Sequence, residues 1–128
     1  MKVKLILLFL IYNFSIGCNK NTSYTKNVTF NITNSSSNMI REVDIKIVRG
    51  VERINAISLT NLDINKKEIR VTNLSSFNIK GGDASYIALV TLSDDRRLEK
   101  EFGYITNGVE FKKEPYNIDI SNSEIIMK

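Results

Sequence analysis

The chain predicts an all-β fold, a small antiparallel β-sandwich with a small β-barrel as the alternative, and three observations carry that expectation. From Val28 onward, apolar residues recur at every second position, the period at which strand side chains alternate between faces. Turn residues interrupt the pattern roughly every 8 to 12 positions, the spacing of short strands in sandwiches and barrels. From Asn27 on, no run carries the apolar spacing of a helix.

Taken in order, Val28, Phe30 and Ile32 alternate with Thr29, Asn31 and Thr33, the pattern of a strand with one wet face. Asn34 to Asn38, NSSSN, supplies a turn, and Val43, Ile45 and Ile47 then alternate with Glu42, Asp44 and Lys46. Ile69 and Val71 continue the theme. Tyr86 to Leu92, YIALVTL, is apolar on both faces and reads as a central strand. Gly81-Gly82-Asp83 precedes it and Asp94-Asp95 separates it from Arg97 to Thr106. Asn107-Gly108 signals a type I′ hairpin before Val109, because both central residues of that turn need positive φ. Pro115 opens the next strand, where a missing amide is tolerated, and Tyr116, Ile118 and Ile120 share its buried face. Ser121-Asn122-Ser123 turns the chain into a last strand over 124–127. The expected core is Val28, Phe30, Ile32, Val43, Ile45, Ile47, Ile69, Val71, Tyr86, Ala88, Val90, Leu92, Phe102, Tyr104, Ile118 and Ile120.

The first 18 residues, MKVKLILLFLIYNFSIGC, follow a different logic. Lys2 and Lys4 form a positive n-region, Leu5 to Tyr12 is apolar, and Ser15 and Gly17 lead into the sole cysteine, Cys18. The apolar stretch falls short of the roughly 20 residues a spanning helix needs, so it reads as a cleaved export signal. Phe14-Ser15-Ile16-Gly17-Cys18 resembles the lipobox of bacterial lipoproteins, with Ser15 where leucine is commonest. The resemblance implies cleavage between Gly17 and Cys18 and acylation of Cys18, a palmitate-type lipid anchor into the bilayer. The other reading is an ordinary secretory signal cut near Gly17 that leaves Cys18 as a free thiol. A lone thiol in an exported chain is open to oxidation and mispairing, and acylation accounts for it.

The chain therefore divides into a signal over 1–17, lipidated Cys18 with a polar tether over 18–26, and a β-domain over 27–128. Eight extended residues after Cys18 reach roughly 26 to 29 Å, holding the domain close above the membrane. Asn19 follows the cysteine where inner-membrane lipoproteins of some bacteria carry aspartate, so the resemblance points to the outer membrane if the organism has one. The 18 Ile, 15 Asn and 12 Lys match the usage of an AT-rich genome. Asn-x-Ser/Thr triplets at Asn21, Asn27, Asn31, Asn34 and Asn73 arise readily by chance in such a composition. Within the domain, Asp83-Ala84-Ser85-Tyr86 loosely resembles the tyrosine corner of immunoglobulin-like domains, although the spacing is one residue short and the chain has no tryptophan.

Chemistry is constrained mainly by what is missing. With no histidine and one cysteine, the usual nucleophile-base pairs and zinc sites lose their residues, and no cofactor is expected. The carboxylates Asp83, Asp94, Asp95, Glu99 and Glu101 cluster in sequence as a glycosidase pair would, but read as turn residues and a solvated strand face. Asp63-Ile64-Asn65-Lys66-Lys67-Glu68 departs from a calcium loop, lacking its glycine and carrying two lysines. The basic doublets Lys66-Lys67, Arg96-Arg97 and Lys112-Lys113 fall at turns, where convergence at one end would offer an anion-binding surface. The whole chain has 18 basic against 14 acidic residues, a small excess that does not point to nucleic acid. The expected function is a non-enzymatic binding module of the cell envelope, with another envelope protein or a glycan as partner. The alternative is a small carboxylate-based envelope hydrolase.

Overall fold

The computed structural model describes residues 25–79, 81–111 and 114–128; Gly17, Cys18 and the signal segment lie outside them, as do Lys80 and the Lys112-Lys113 doublet. Among the described residues nine strands form: β1 Asn27–Asn34, β2 Ile40–Arg49, β3 Glu52–Leu62, β4 Lys67–Asn73, β5 Asp83–Leu92, β6 Arg97–Thr106, β7 Val109–Glu110, β8 Tyr116–Ile120 and β9 Ile125–Met127. A 3-10 turn, Leu74–Ser76, is capped by the Asn73 side chain accepting from the Ser75 amide. The strands build two layers, β4-β1-β8-β9 against β3-β2-β5-β6-β7, so the fold is the expected all-β sandwich.

Every pair is antiparallel except β1 with β8, which run parallel from Phe30↔Tyr116 to Asn34↔Ile120. The order β3-β2-β5-β6 opposite the β4-β1 pair is that of strands C′, C, F and G opposite E and B in an immunoglobulin-type sandwich. The place of strand A beside B is taken by β8, from the far end of the chain. The corner proposed at Asp83–Tyr86 does not form. Tyr86 is fully buried and, among the described residues, its hydroxyl meets no hydrogen-bond partner of good geometry, so the phenol points into the core beside Glu110 rather than back along the chain.

Between the layers, Phe30, Tyr86, Phe102 and Tyr116 meet as an aromatic cluster, with Phe102 and Tyr116 5.1 Å apart edge to face and Tyr86 and Phe102 5.5 Å apart stacked. Three residues of the expected core are exposed instead: Ile69 (58 %), Val71 (63 %) and Tyr104 (51 %). For β4 the reason is register. Arg70 lies opposite Phe30 and Glu68 opposite Ile32, which puts the charged set on the inner face of an edge strand and Ile69 and Val71 outside. For Tyr104 the reason is a β-bulge: Gly103 and Tyr104 together oppose Ser85, which inverts the alternation so that Ile105, not Tyr104, enters the core. Gly103 permits the bulge with φ +71, and a Cβ there would sit 2.6 Å from the Tyr116 hydroxyl oxygen.

The NSSSN turn is organised from within. Asn34 is fully buried; its Nδ2 donates to the carbonyls of Asn38 (2.9 Å) and Leu62 (3.0 Å), and its Oδ1 accepts from the Ser36 amide and hydroxyl. The Asn107-Gly108 turn closes as expected, with Thr106 opposite Val109 and φ values of 49 and 74.

Candidate functional site

The outer face of the five-stranded sheet is the surface on which the fold gathers charged and apolar groups together. Register sets it out in rows. Thr60, Glu42, Thr91 and Arg97 lie side by side across β3, β2, β5 and β6; the next row is Ser58, Asp44, Leu89 and Glu99, and the next Asn55, Lys46, Ile87 and Glu101. The double apolarity of β5 explains the floor. Alternation sends Ile87 and Leu89 outward, where Ile87, between Lys46 and Glu101 in the register, is 4 % exposed and Leu89 is half-buried.

At one end of this face an open groove of about 460 Å³ is lined by Glu42, Asp44, Arg53, Leu89, Arg97 and Glu99 among others. Among the described residues, ion pairs occupy Arg41, Arg49, Arg70 and Arg96, whereas Glu42, Glu99, Arg53 and Arg97 form none. Asp44 accepts from the Ser58 hydroxyl and Glu101 from the Ser85 hydroxyl, which leaves the two free carboxylates and two free guanidinium groups as the adaptable polar groups of the groove. At the other end a shallower hollow is lined by Val48, Gly50, Asp83, Ser85, Glu101 and Tyr104. The neighbouring Asp83 carboxylate, with a smaller contribution from burial, raises the affinity of the Tyr104 phenol for its proton.

The carboxylates singled out from sequence are dispersed by the fold. Asp94 and Asp95 lie in the β5–β6 turn, paired with Arg96 at 2.7 Å and with Arg41 at 2.7 Å. Asp83 accepts from Thr106 at the opposite end of β5. Only Glu99 and Glu101 share the outer face, joined there by Glu42 and Asp44, which the sequence reading placed on a wet strand face without linking them to Glu99. The signal that links them is β5 itself: a strand apolar on both sides and flanked by strands with charged outer faces makes an apolar strip between charged walls.

The Asp63–Glu68 segment forms the β3–β4 turn, with Lys66 donating from its amide to the Asp63 carbonyl and Glu68 held by Arg70 at 2.8 Å. Among the described residues no three His, Cys, Asp or Glu side chains converge as a metal site. Lys66-Lys67 and Arg96-Arg97 open β4 and β6 at the same end of the sandwich, but Arg96 is committed to Asp94 and to the Asn122 carbonyl at 2.6 Å.

The second polar surface, on the outer face of the four-stranded sheet, centres on Asp119. Lys128 at 2.6 Å, then the Ser35 hydroxyl, hold its carboxyl below the usual aspartate range. Deeper in the fold Glu110 is 2 % exposed and accepts from the Tyr116 hydroxyl at 3.0 Å. Burial, then the neighbouring Glu110, push the Tyr86 and Tyr116 phenols far up from the ordinary value.

No protein-family model matches the chain, and no curated protein sequence matches it significantly. Its fold is similar to that of a protein from Eubacterium rectale solved by NMR, at 7 % sequence identity and a TM-score of 0.54, covering 80 % of this chain and 88 % of the other. At that identity the likeness is one of fold.

Proposed function

We propose that this chain is a lipid-anchored protein of a bacterial cell envelope that acts as a non-enzymatic binding module, with the outer face of the five-stranded sheet as its contact surface. The observation that carries the binding reading is the groove over Leu89: open, floored by an apolar strand and rimmed by Glu42, Glu99, Arg53 and Arg97, none tied up in an ion pair among the described residues. Such a surface fits an extended segment of an envelope protein or a glycan that presents an apolar face and polar groups of either sign. The anchoring reading is supported by Phe14–Cys18 and by the short polar stretch before β1 begins at Asn27.

Two measurements test the proposal. Intact mass of the protein purified from membranes is expected to show an N-terminus at acylated Cys18, and an unmodified N-terminus would overturn the anchoring. Lipidated protein used as bait on detergent-solubilised envelope is expected to retain a partner that Leu89→Arg loses while the fold, followed by circular dichroism, is kept. A partner retained equally by Leu89→Arg would remove the groove from the proposal.

The hydrolase reading has one observation in its favour, the placement of Asp44 and Glu99 on either side of Leu89. Their backbones lie two strand spacings apart, about 9 to 10 Å, and the Asp44 carboxylate accepts from the Ser58 hydroxyl. Hydrolysis of envelope glycans that Glu99→Gln abolishes would establish it.

A further inference from the structure

We infer that two copies of this chain associate edge to edge through β4, in one specific register. β4 is the edge of its sheet, bonded on one side to β1. The bonds at its two ends, from the Leu74 amide to the Lys26 carbonyl (2.7 Å) and from the Asn34 amide to the Lys66 carbonyl (3.0 Å), fix which residues face β1. In an uninterrupted antiparallel ladder the bonded pairs recur every second residue, so Glu68, Arg70 and Thr72 bond to β1. Lys67, Ile69, Val71 and Asn73 therefore direct their backbone amides and carbonyls to the open side. Ile69 and Val71 are also more than half exposed, so the edge presents backbone groups without a strand partner and two β-branched aliphatics at the same positions.

The partner is a second copy because the charges on β4 complement themselves. An antiparallel neighbour must pair residues that both face outward. Centred on Ile69, β4 pairs Ile69 with Ile69, Lys67 with Val71, and Glu68 with Arg70 reciprocally across a two-fold axis. The Glu68–Arg70 pairs then occupy the non-bonded positions, where facing side chains come closest. Centring on Arg70 sets two arginines against each other, and centring on Glu68 sets two glutamates. Within one chain Arg70 already reaches Glu68 at 2.8 Å and the Ile69 carbonyl at 3.3 Å, contacts that the partner's Glu68 and Ile69 amide replace in kind. Inward charges on an edge strand discourage pairing with most sequences; here they select this one.

Cysteine cross-linking in the full chain reads the register directly. An Ile69 pair on the axis has Cα atoms about 5.5 Å apart, within disulfide reach, whereas two Val71 residues lie offset by four positions, roughly 13 Å. Ile69→Cys is expected to give a reducible dimer under mild oxidation and Val71→Cys to stay monomeric, with the parent, whose thiol is Cys18, as the blank. Glu68→Arg in the Ile69→Cys chain is expected to weaken dimerisation roughly tenfold, and adding Arg70→Glu to restore it. A monomeric Ile69→Cys chain, equal cross-linking by Val71→Cys, or no rescue by the double reversal would each overturn the inference.

Discussion

The Tyr116 hydroxyl donates to the Glu110 carboxylate at 3.0 Å, joining the last long strand of the four-stranded sheet to the short final strand of the other. Glu110 is 2 % exposed, and its backbone exchanges two hydrogen bonds of 2.9 Å with Thr25. This one residue ties both layers to the start of the domain. Glu110→Ala leaves the Tyr116 hydroxyl buried without that acceptor and is expected to lower stability by about 1 to 3 kcal/mol. Urea unfolding followed by fluorescence of the tyrosines measures it, and a variant as stable as the parent would show that the bond contributes nothing net.

The raised proton affinities of Tyr86 and Tyr116 give stability a dependence on alkaline pH. Both phenols are held neutral in the folded protein above the ordinary value of 10.0, while in the unfolded chain they ionise near it. The folded state thus binds more protons above pH 10, and stability falls as pH rises. Their contribution is complete below that value and is lost progressively above it. Tyr86→Phe removes a buried hydroxyl with no hydrogen-bond partner of good geometry among the described residues, so it is expected to be neutral or slightly stabilising at pH 7 and to flatten the alkaline decline. Denaturant midpoints between pH 8 and pH 11 test both halves, and an unchanged slope in Tyr86→Phe would contradict the assignment.

Gly103 and Gly50 share a positive φ, +71 and +58, yet their surroundings differ. A Cβ at Gly103 meets the Tyr116 hydroxyl oxygen at 2.6 Å and the Tyr86 ring at 2.7 Å, whereas one at Gly50 meets nothing within 4 Å. Gly50→Ala is expected to cost about 1 to 2 kcal/mol from backbone strain alone. Gly103→Ala adds displacement of two core aromatics and is expected to cost more than about 3 kcal/mol. Equal thermal midpoints for the two variants would remove the packing part of the argument.

Asn34→Ala is expected to lower stability by about 1 to 3 kcal/mol, because it strands the buried Leu62 carbonyl and frees the β1–β2 turn. Asn34→Asp preserves the acceptor for Ser36 but loses both donations, so it separates the two halves of the role. Chemical denaturation of both variants distinguishes them: a fully stable Asp variant would assign the stability to Ser36 alone.

The period-two pattern made most of the core legible, because a strand between two layers shows its buried face directly in alternation: Val28, Phe30, Ile32, Val43, Ile45 and Ile47 are all buried. It failed where tertiary context reset the phase. At Tyr104 a bulge adds one residue, and sequence marks it only by Gly103. At Ile69 and Val71 the strand is an edge, where an aliphatic can stay outside and a charge can reach water from the inner face. The groove was less legible than the fold for a related reason: Glu42, Asp44 and Glu99 come from strands far apart in sequence, and their neighbourhood is a property of sheet order. Nothing in the sequence marks Glu110, since a buried carboxylate looks like any other hairpin charge until its phenol partner is seen.

The parallel pairing of β1 with β8 has a kinetic consequence. Asn31 and Asn117, bonded side chain to side chain across that pair, are 86 positions apart, so the first strand synthesised must wait for nearly the whole chain before its inner neighbour exists. Closing so long a loop is entropically slow, and no local hairpin substitutes for it. Until β8 arrives, Phe30 and Ile32 stand on a strand with one open side, a half-built layer that offers itself to any extended segment nearby. The segment from Tyr116 onward therefore acts as the closing step of folding, and nascent chains stalled before it are the form of this protein most prone to aggregate.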